Sequence, residues 1–145
     1  MINVERVSEV LGGTRTLKHR VRTLGDLHDL VAEGLPKTSV RALLSHLSER
    51  YAVEVGPVRD VIAPRATLKR RRTRLSPTES QRLERLARIV AMAEEVWQDT
   101  VKAAAFLTRP HRRLGGRTPL QMAATDLGAR QVEELLASID FGLPA

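Results

Sequence analysis

Residues 76–79 read Ser-Pro-Thr-Glu, and few four-residue stretches leave a backbone so little choice. Pro77 holds φ near the helical value and has no N–H to satisfy, which suits a first helical position. Ser76 in front of it accepts from the N–H of the third helical residue, and Glu79, at that position, reaches back to the N–H of Ser76. Leu83, Leu86, Val90, Ala93 and Trp97 then recur every three or four residues. The spacing predicts the longest helix of the chain, capped at Ser76 and long enough to connect two halves of the molecule.

The same period runs through most of the sequence, and no clean alternation of β-branched residues appears, so the expected fold class is all-α. "NVERVSEVLGG" reads as a short helix closed by Gly12 and Gly13. "TRTLKHRVRT" is basic and fits either an arm that contacts DNA or an unstructured, solvated tail. Leu24, Leu27, Leu30 and Val31 share a helical face that Gly34 ends. Pro36 is expected in the first turn of the next helix, with Val40, Leu43, Leu44 and Leu47 as its buried stripe. Gly56-Pro57 marks a further start, with Val58, Val61 and Ile62 as its apolar side, and Ala63-Pro64 breaks that helix. "RATLKRRR" follows, anchored by Leu68. Past Trp97, a helix from Thr100 to about Thr108 ends before Pro110. Thr118-Pro119-Leu120-Gln121 repeats the capping arrangement of Ser76. The last helix carries Val132, Leu135, Leu136 and Ile139, and Gly142 suits a left-handed cap.

Charge divides along the chain. The net charge is +7, yet residues 118–145 carry −3, which leaves +10 on the preceding 117 residues. A basic body favours a polyanion such as nucleic acid, and an acidic end points to a different partner. With no cysteine there is no disulfide framework and no thiolate metal site. No apolar run approaches the ~20 residues of a membrane span, and the N-terminus has no apolar signal core, so the expectation is a cytoplasmic protein with no membrane partner.

The densest chemistry lies between residues 65 and 74, where Arg65, Lys69, Arg70, Arg71, Arg72 and Arg74 follow a helix, a break and a short helix. That is the order of a helix-turn-helix, whose second helix enters the major groove. Arg65 and Thr67, at its start, are placed to face bases, whereas Arg70, Arg71 and Arg72 suit phosphates, and Lys69 completes the candidate DNA-binding set. The residues alone also fit a solvated basic linker ahead of Ser76. "LGGRTP" puts two glycines before a helix start but matches no phosphate-loop spacing and reads as a plain turn. His19, His28, His46 and His111 lie far apart, with none at metal-ligand spacing, so no metal is expected. Glu94-Glu95 and Glu133-Glu134 are adjacent in helices, and neighbours one apart do not share a face. Nothing assembles a nucleophile, a base and an orienting group, so the chain reads as no enzyme and needs no cofactor.

Several elements in order carry a resemblance. They are Leu75-Ser76-Pro77-x-Glu79, Leu107 and Pro110, Leu114-Gly115-Gly116-x-Thr118-Pro119-Leu120, Thr125 and Gly128, Val132, Leu135-Leu136, and an aromatic-Gly near the end. This pattern closely resembles the C-terminal toxin-binding domain of the Xre/MbcA/ParS family of antitoxins. "GLPKTSVRALLSHL" and "PRATLKRRR" resemble the family's Xre-like helix-turn-helix, so the resemblance covers about residues 30–145. It implies an antitoxin that binds a RES-domain toxin, a class that consumes NAD+ or transfers ADP-ribose from it. It also implies a homodimer within a larger toxin–antitoxin assembly, repression of the shared operon at an inverted-repeat operator, and nucleoid association when bound there. The organisation it implies is an N-terminal segment or arm over residues 1–23 and a helix-turn-helix DNA-binding and dimerisation domain over 24–75. A connecting helix over 76–98 and a toxin-binding domain over 99–145 follow.

Toxin contacts are implied at Arg117, Ile139, Asp140, Phe141, Gly142, Leu143, Pro144 and Ala145, the last residues entering the toxin's active-site cleft. Three positions depart from the usual pattern: Ala66 before Thr67 where Arg is frequent, the small Met122-Ala123-Ala124, and Phe141 where Tyr is common. A stand-alone helix-turn-helix regulator with a C-terminal oligomerisation domain, and a pure interaction module, fit the same composition. The apolar end, likewise, fits either a fold-back onto the face of Ile139 or a plug for another protein's cleft.

Overall fold

Ten α-helices and one 3-10 turn, with no strand, make up residues 2–140 and Gly142, which are the residues described by the computed structural model. The all-α expectation therefore holds. The order is α1 (Val4–Val10), α2 (Gly13–Leu17), α3 (Leu24–Glu33), α4 (Thr38–Tyr51), α5 (Val55–Ile62), α6 (Arg65–Arg70), α7 (Pro77–Trp97), α8 (Thr100–Thr108), the 3-10 turn Arg112–Leu114, α9 (Pro119–Met122) and α10 (Asp126–Asp140). The sequence spacing anticipates the bounds of α8 and the starts of α7 and α9.

Helix α7 is the axis. Its 21 residues span roughly 31 Å at the usual helical rise. Leu83, Leu86, Ala87, Ile89, Val90, Ala91 and Ala93 are all buried, three of them consecutive. Burial at consecutive positions means that the middle of the helix is covered on every side, and α1, α3, α5, α8, α9 and α10 all pack on α7. One hydrophobic cluster runs without interruption from Val7 to Leu136.

Local chemistry sets where α7 begins. The N–H of Glu79 donates to Ser76 Oγ (3.2 Å) and the N–H of Ser76 donates to Glu79 Oε1 (2.9 Å), completing the capping box. Glu79 also holds the strand of chain that precedes it. Arg71 Nε donates to Oε1 and Arg71 Nη2 to Oε2, both at 2.9 Å. The segment between α6 and α7 is then laced to the α3–α4 turn. Leu75 N–H donates to Leu35 O (2.9 Å), Lys37 N–H to Thr73 O (2.9 Å) and Arg74 Nη1 to Gly34 O (2.8 Å). Ser80 Oγ, fully buried on α7, accepts from the N–H of Leu35 (2.7 Å). The two backbones cross so closely at Gly34 that a Cβ there would overlap the carbonyl oxygen of Leu75, and its φ of 104° also favours glycine.

The other polar staple of α7 is Glu94. His46 Nε2 lies 2.6 Å from its Oε2, the Tyr51 hydroxyl donates to the same oxygen, and Arg6 and Arg50 stand at 3.6 Å. Burial raises the Glu94 pKa, but the hydrogen bonds from His46 and Tyr51 outweigh it and leave the carboxyl below its ordinary value. Burial and the adjacent carboxylate push the Tyr51 hydroxyl well up. Glu94 thereby ties α1 and α4 to α7, while its neighbour Glu95 faces solvent.

Several sequence expectations change. The basic stretch after Gly13 is not an unstructured tail: its first part belongs to α2 (Gly13–Leu17), and Leu17 and Val21 are buried, while Lys18, His19, Arg20 and Arg22 lie exposed beyond the helix. Thr23 and Asp26 form a third capping box, which opens α3. Leu24 stands at the first position of that helix, ahead of the buried stripe, and is 58% exposed. Pro36 lies outside α4, because its backbone pairs with Arg74 in an isolated bridge. Helix α5 starts at Val55, two residues before Pro57.

Arg71 holds the Glu79 carboxyl below its ordinary value of 4.5. A carboxyl whose folded pKa is depressed contributes stability that is present above the unfolded pKa and lost as pH falls through the folded one. Glu79→Gln should cost about 2 kcal/mol at neutral pH, and that deficit should shrink below about pH 4. Thermal melts of both proteins at about pH 7 and about pH 3 test this; an equal deficit at both would show that the ionised pair is not its source.

Candidate functional site

Two regions carry the chemistry that the sequence singles out. The first is α6 and its flanks. Leu68 is buried and fixes the helix against the core. Arg65, Lys69, Arg70 and Arg72 are exposed around it, and Thr67 is half-buried, its Oγ1 accepting from Arg70 Nη2 (3.4 Å). Arg71 belongs elsewhere. It reads in sequence as a phosphate contact in a tract without acids, but its guanidinium is engaged by Glu79 in a bidentate pair. The acid that answers it lies eight residues on, beyond a capped helix start, where a scan of the tract itself cannot see it.

Three cations absent from that reading join the site. Lys37, Arg41 and Arg59, from the α3–α4 turn, α4 and α5, line one cleft of about 530 Å³ with Arg65, Lys69 and Arg72. Its floor is apolar, from Val40, Leu44, Val55 and Leu68. No sequence window holds these residues together; only the spacing of Val40 and Leu44, which share a face of α4, hints that Arg41 sits at the rim of that stripe. The cleft presents a concave, cationic surface beside the exposed side of α6, suited to an anion.

The second region is the end formed by α8, α9 and α10. The capping box at Thr118 is complete: its N–H donates to Gln121 Oε1 (2.9 Å) and Gln121 N–H to Thr118 Oγ1 (3.2 Å). The helix it starts stops after one turn, and Thr125 Oγ1 accepts from the N–H of Gly128 (2.9 Å) to begin α10. Small residues permit that tight corner. Ala123 is fully buried, and a Cβ at Gly128 would overlap the carbonyl oxygen of Met122. Arg85 of α7 donates to the carbonyls of Ala123 (3.0 Å) and Ala124 (3.2 Å), satisfying the open end of α9. Arg88 reaches Glu133 of α10 at 3.0 Å. The corner and α10 are thus fastened to the axis.

Of the residues expected to meet a partner, Arg117 is exposed, Ile139 half-buried and Asp140 exposed. Gly142 adopts φ 75° and its N–H donates to Ile139 O (2.9 Å), a left-handed turn at the end of α10. Phe141, Leu143, Pro144 and Ala145 lie outside the described residues, as does the choice between fold-back and plug. The His111 and Phe106 rings meet at a tilt, 4.9 Å between centroids, and the Trp97 ring lies 6.2 Å from that of Phe106. Among the described residues no helix is long and apolar enough to cross a membrane.

Comparison with known proteins bears on this second region. Residues 92–142 match the family described as the antitoxin Xre/MbcA/ParS C-terminal toxin-binding domain. An antitoxin Xre of Pseudomonas putida is 41% identical over 121 residues, covering 81% of this chain and 72% of the relative. One of Yersinia enterocolitica is 33% identical over 84 residues, covering 55% of this chain and 57% of the relative. One of Photorhabdus laumondii is 39% identical over 66 residues, covering 45% of each.

The α9–α10 corner makes a structural prediction. Gly128→Ala should destabilise the protein by at least about 2 kcal/mol, because the new methyl meets backbone rather than a side chain that can move aside. Gly116→Ala, a left-handed glycine with open space around it, should cost less. Chemical denaturation of both variants checks the order, and equal midpoints would mean that the corner relaxes freely.

Proposed function

The chain belongs to the Xre/MbcA/ParS family of antitoxins, and from that premise we propose that it silences a RES-domain toxin and represses the operon the two share. The observation that carries the first half is the coincidence of residues 92–142 with one fastened unit, the end of α7 together with α8, α9 and α10. In this reading residues 99–145 are the toxin-binding domain and residues 76–98 the connecting helix. The mechanism is competitive and steric. The domain docks on the toxin, and residues 139–145 occupy the cleft through which NAD+ reaches the reacting site. The buried Leu135 and Leu136 supply the rigid base such a plug needs, since a blocking segment loses affinity when its support must be ordered on binding.

Residues 24–75 are the DNA-binding and dimerisation domain in this proposal. Arg65 and Thr67 face bases, and Lys69, Arg70 and Arg72 hold phosphates, joined by Lys37, Arg41 and Arg59 at the edge of the cleft. Arg71 stays with Glu79, where it fixes the end of the recognition element against α7. A symmetric dimer presents two such elements to an inverted repeat, with half-sites about one helical turn apart or a multiple of it. Helices α1 and α2, packed on α3, α4 and α7, are a support for this half.

Two measurements test the proposal. Deleting residues 141–145 should restore toxin activity in a complex that still forms; if the truncated chain neutralises as well as the full one, the plug is wrong. Changing Lys69, Arg70 and Arg72 together to Ala should weaken operator binding and reduce its salt dependence, by about one unit of slope per lost phosphate contact. Arg71→Ala should instead lower thermal stability. An unchanged salt slope in the triple variant would remove α6 from the DNA interface.

A further inference from the structure

The proposed plug lies at the end of the chain, yet the strongest exposed charge of the same domain lies elsewhere. Residues 109–117 contain Arg109, Arg112, Arg113 and Arg117, all exposed, and no acid. Arg109, Arg112 and Arg117 enter no ion pair among the described residues. Arg109 stands at the C-terminal end of α8, where a cation also suits the helix dipole; Arg112 and Arg117 have no such helix behind them.

The loop is built to hold this charge in place. His111 N–H donates to Arg117 O (3.0 Å), Gly116 N–H to His111 O (2.9 Å) and Leu114 N–H to His111 O (3.0 Å), closing the turn on itself. Leu114 is buried and pins it to the core. Gly115 and Gly116 both take positive φ, the conformation that lets so short a loop close. His111 Nε2 bonds the Phe106 carbonyl at 3.0 Å. Arg113 Nη1 donates to Ser138 Oγ (3.3 Å), which joins the loop to the last turns of α10. Unpaired cations on a rigid turn repel one another and are stabilised by an anionic surface brought against them.

We infer that this loop is a second docking surface of the domain, seated against an acidic face of the toxin and setting the rate at which the two proteins associate. The inference rests on the antitoxin reading above. A protein partner is favoured over nucleic acid because the loop lies inside the toxin-binding match and is bonded to the helix that carries the plug, whereas the cations suited to DNA lie on α4, α5 and α6. Charge at the rim of an interface acts mainly through association rate and salt dependence, with the plug determining whether the toxin is inactive once bound.

The test uses the full chain and the RES-domain toxin that the proposed function assigns to it, with association followed by stopped-flow fluorescence. Two triple variants are compared with the wild type, Arg109→Gln/Arg112→Gln/Arg117→Gln and the corresponding Glu set; Arg113 is left intact because it bonds Ser138. At about 50 mM salt the Gln set should associate about tenfold more slowly and the Glu set more slowly still, and the gap should close at about 500 mM. Melting temperatures and operator affinity should match the wild type. Equal association rates for wild type and variants overturn the inference. So does a loss of operator affinity without a change in association, which would make the loop a nucleic-acid contact. A slowing that persists at high salt with a lowered melting temperature overturns it too, by showing a structural role. If the wild type itself leaves the toxin active, the antitoxin reading fails; if the wild type neutralises and the Gln set associates as fast, only the loop is wrong.

Discussion

A single carboxylate, that of Glu79, meets three separate demands at the point where the chain turns into its central helix. It accepts the N–H of Ser76, which would otherwise be left open at the helix start, and it takes both arms of the Arg71 guanidinium. A helix whose middle is enclosed still has polar ends, and backbone donors left open there cost more than most contacts return wherever they are removed from water. Glu79 satisfies one such donor at one end of α7, and the segment it holds is laced in turn to the α3–α4 turn through Leu35, Lys37 and Ser80. Toward the other end Glu94 gathers His46, Tyr51, Arg50 and Arg6. Between the two, the packing of six other helices follows from where α7 lies.

This arrangement lets one rigid element carry two surfaces of different character. The basic face around α6 is fastened near the start of α7, and the unit that matches the toxin-binding domain is fastened to the middle of α7 through Arg85 and Arg88. The continuous core from Val7 to Leu136 leaves no seam at which these regions separate. Under the proposed function such a layout is an advantage, since each surface is organised before its partner arrives and little ordering remains to oppose binding.

How much of this was legible in the sequence depends on the distance over which each cause acts. The capping boxes at Ser76 and Thr118 are complete within four residues, and both stand where the sequence puts them. The stripe of Leu83, Leu86, Val90 and Ala93 is local too, and it is buried as its period requires. The pairing of Arg71 with Glu79 was not legible because the two lie on either side of a break between helices, so neither helical spacing nor a charge count joins them. The basic stretch after Gly13 carried a usable sign in Leu17 and Val21, four apart and both buried, which the density of charge obscured. Lys37 and Arg59 had no sign at all, and Arg41 only its place beside the stripe of α4, for the three come from elements that meet only once the helices pack.

The sequence by itself determined that the chain is helical, where its best-capped helices start, that its charge is divided between body and end, and which family its C-terminal pattern resembles. These are properties of neighbouring residues or of composition, and the energies behind them act within a turn of helix. The tertiary structure alone decided which cations face outward and which are spent holding the fold. It also decided that Glu94 and not Glu95 is buried, and that the glycine-rich turn carries its arginines on a closed, rigid loop beside α10. Those outcomes depend on which polar groups are removed from water together, and that is fixed only when distant segments pack against one another.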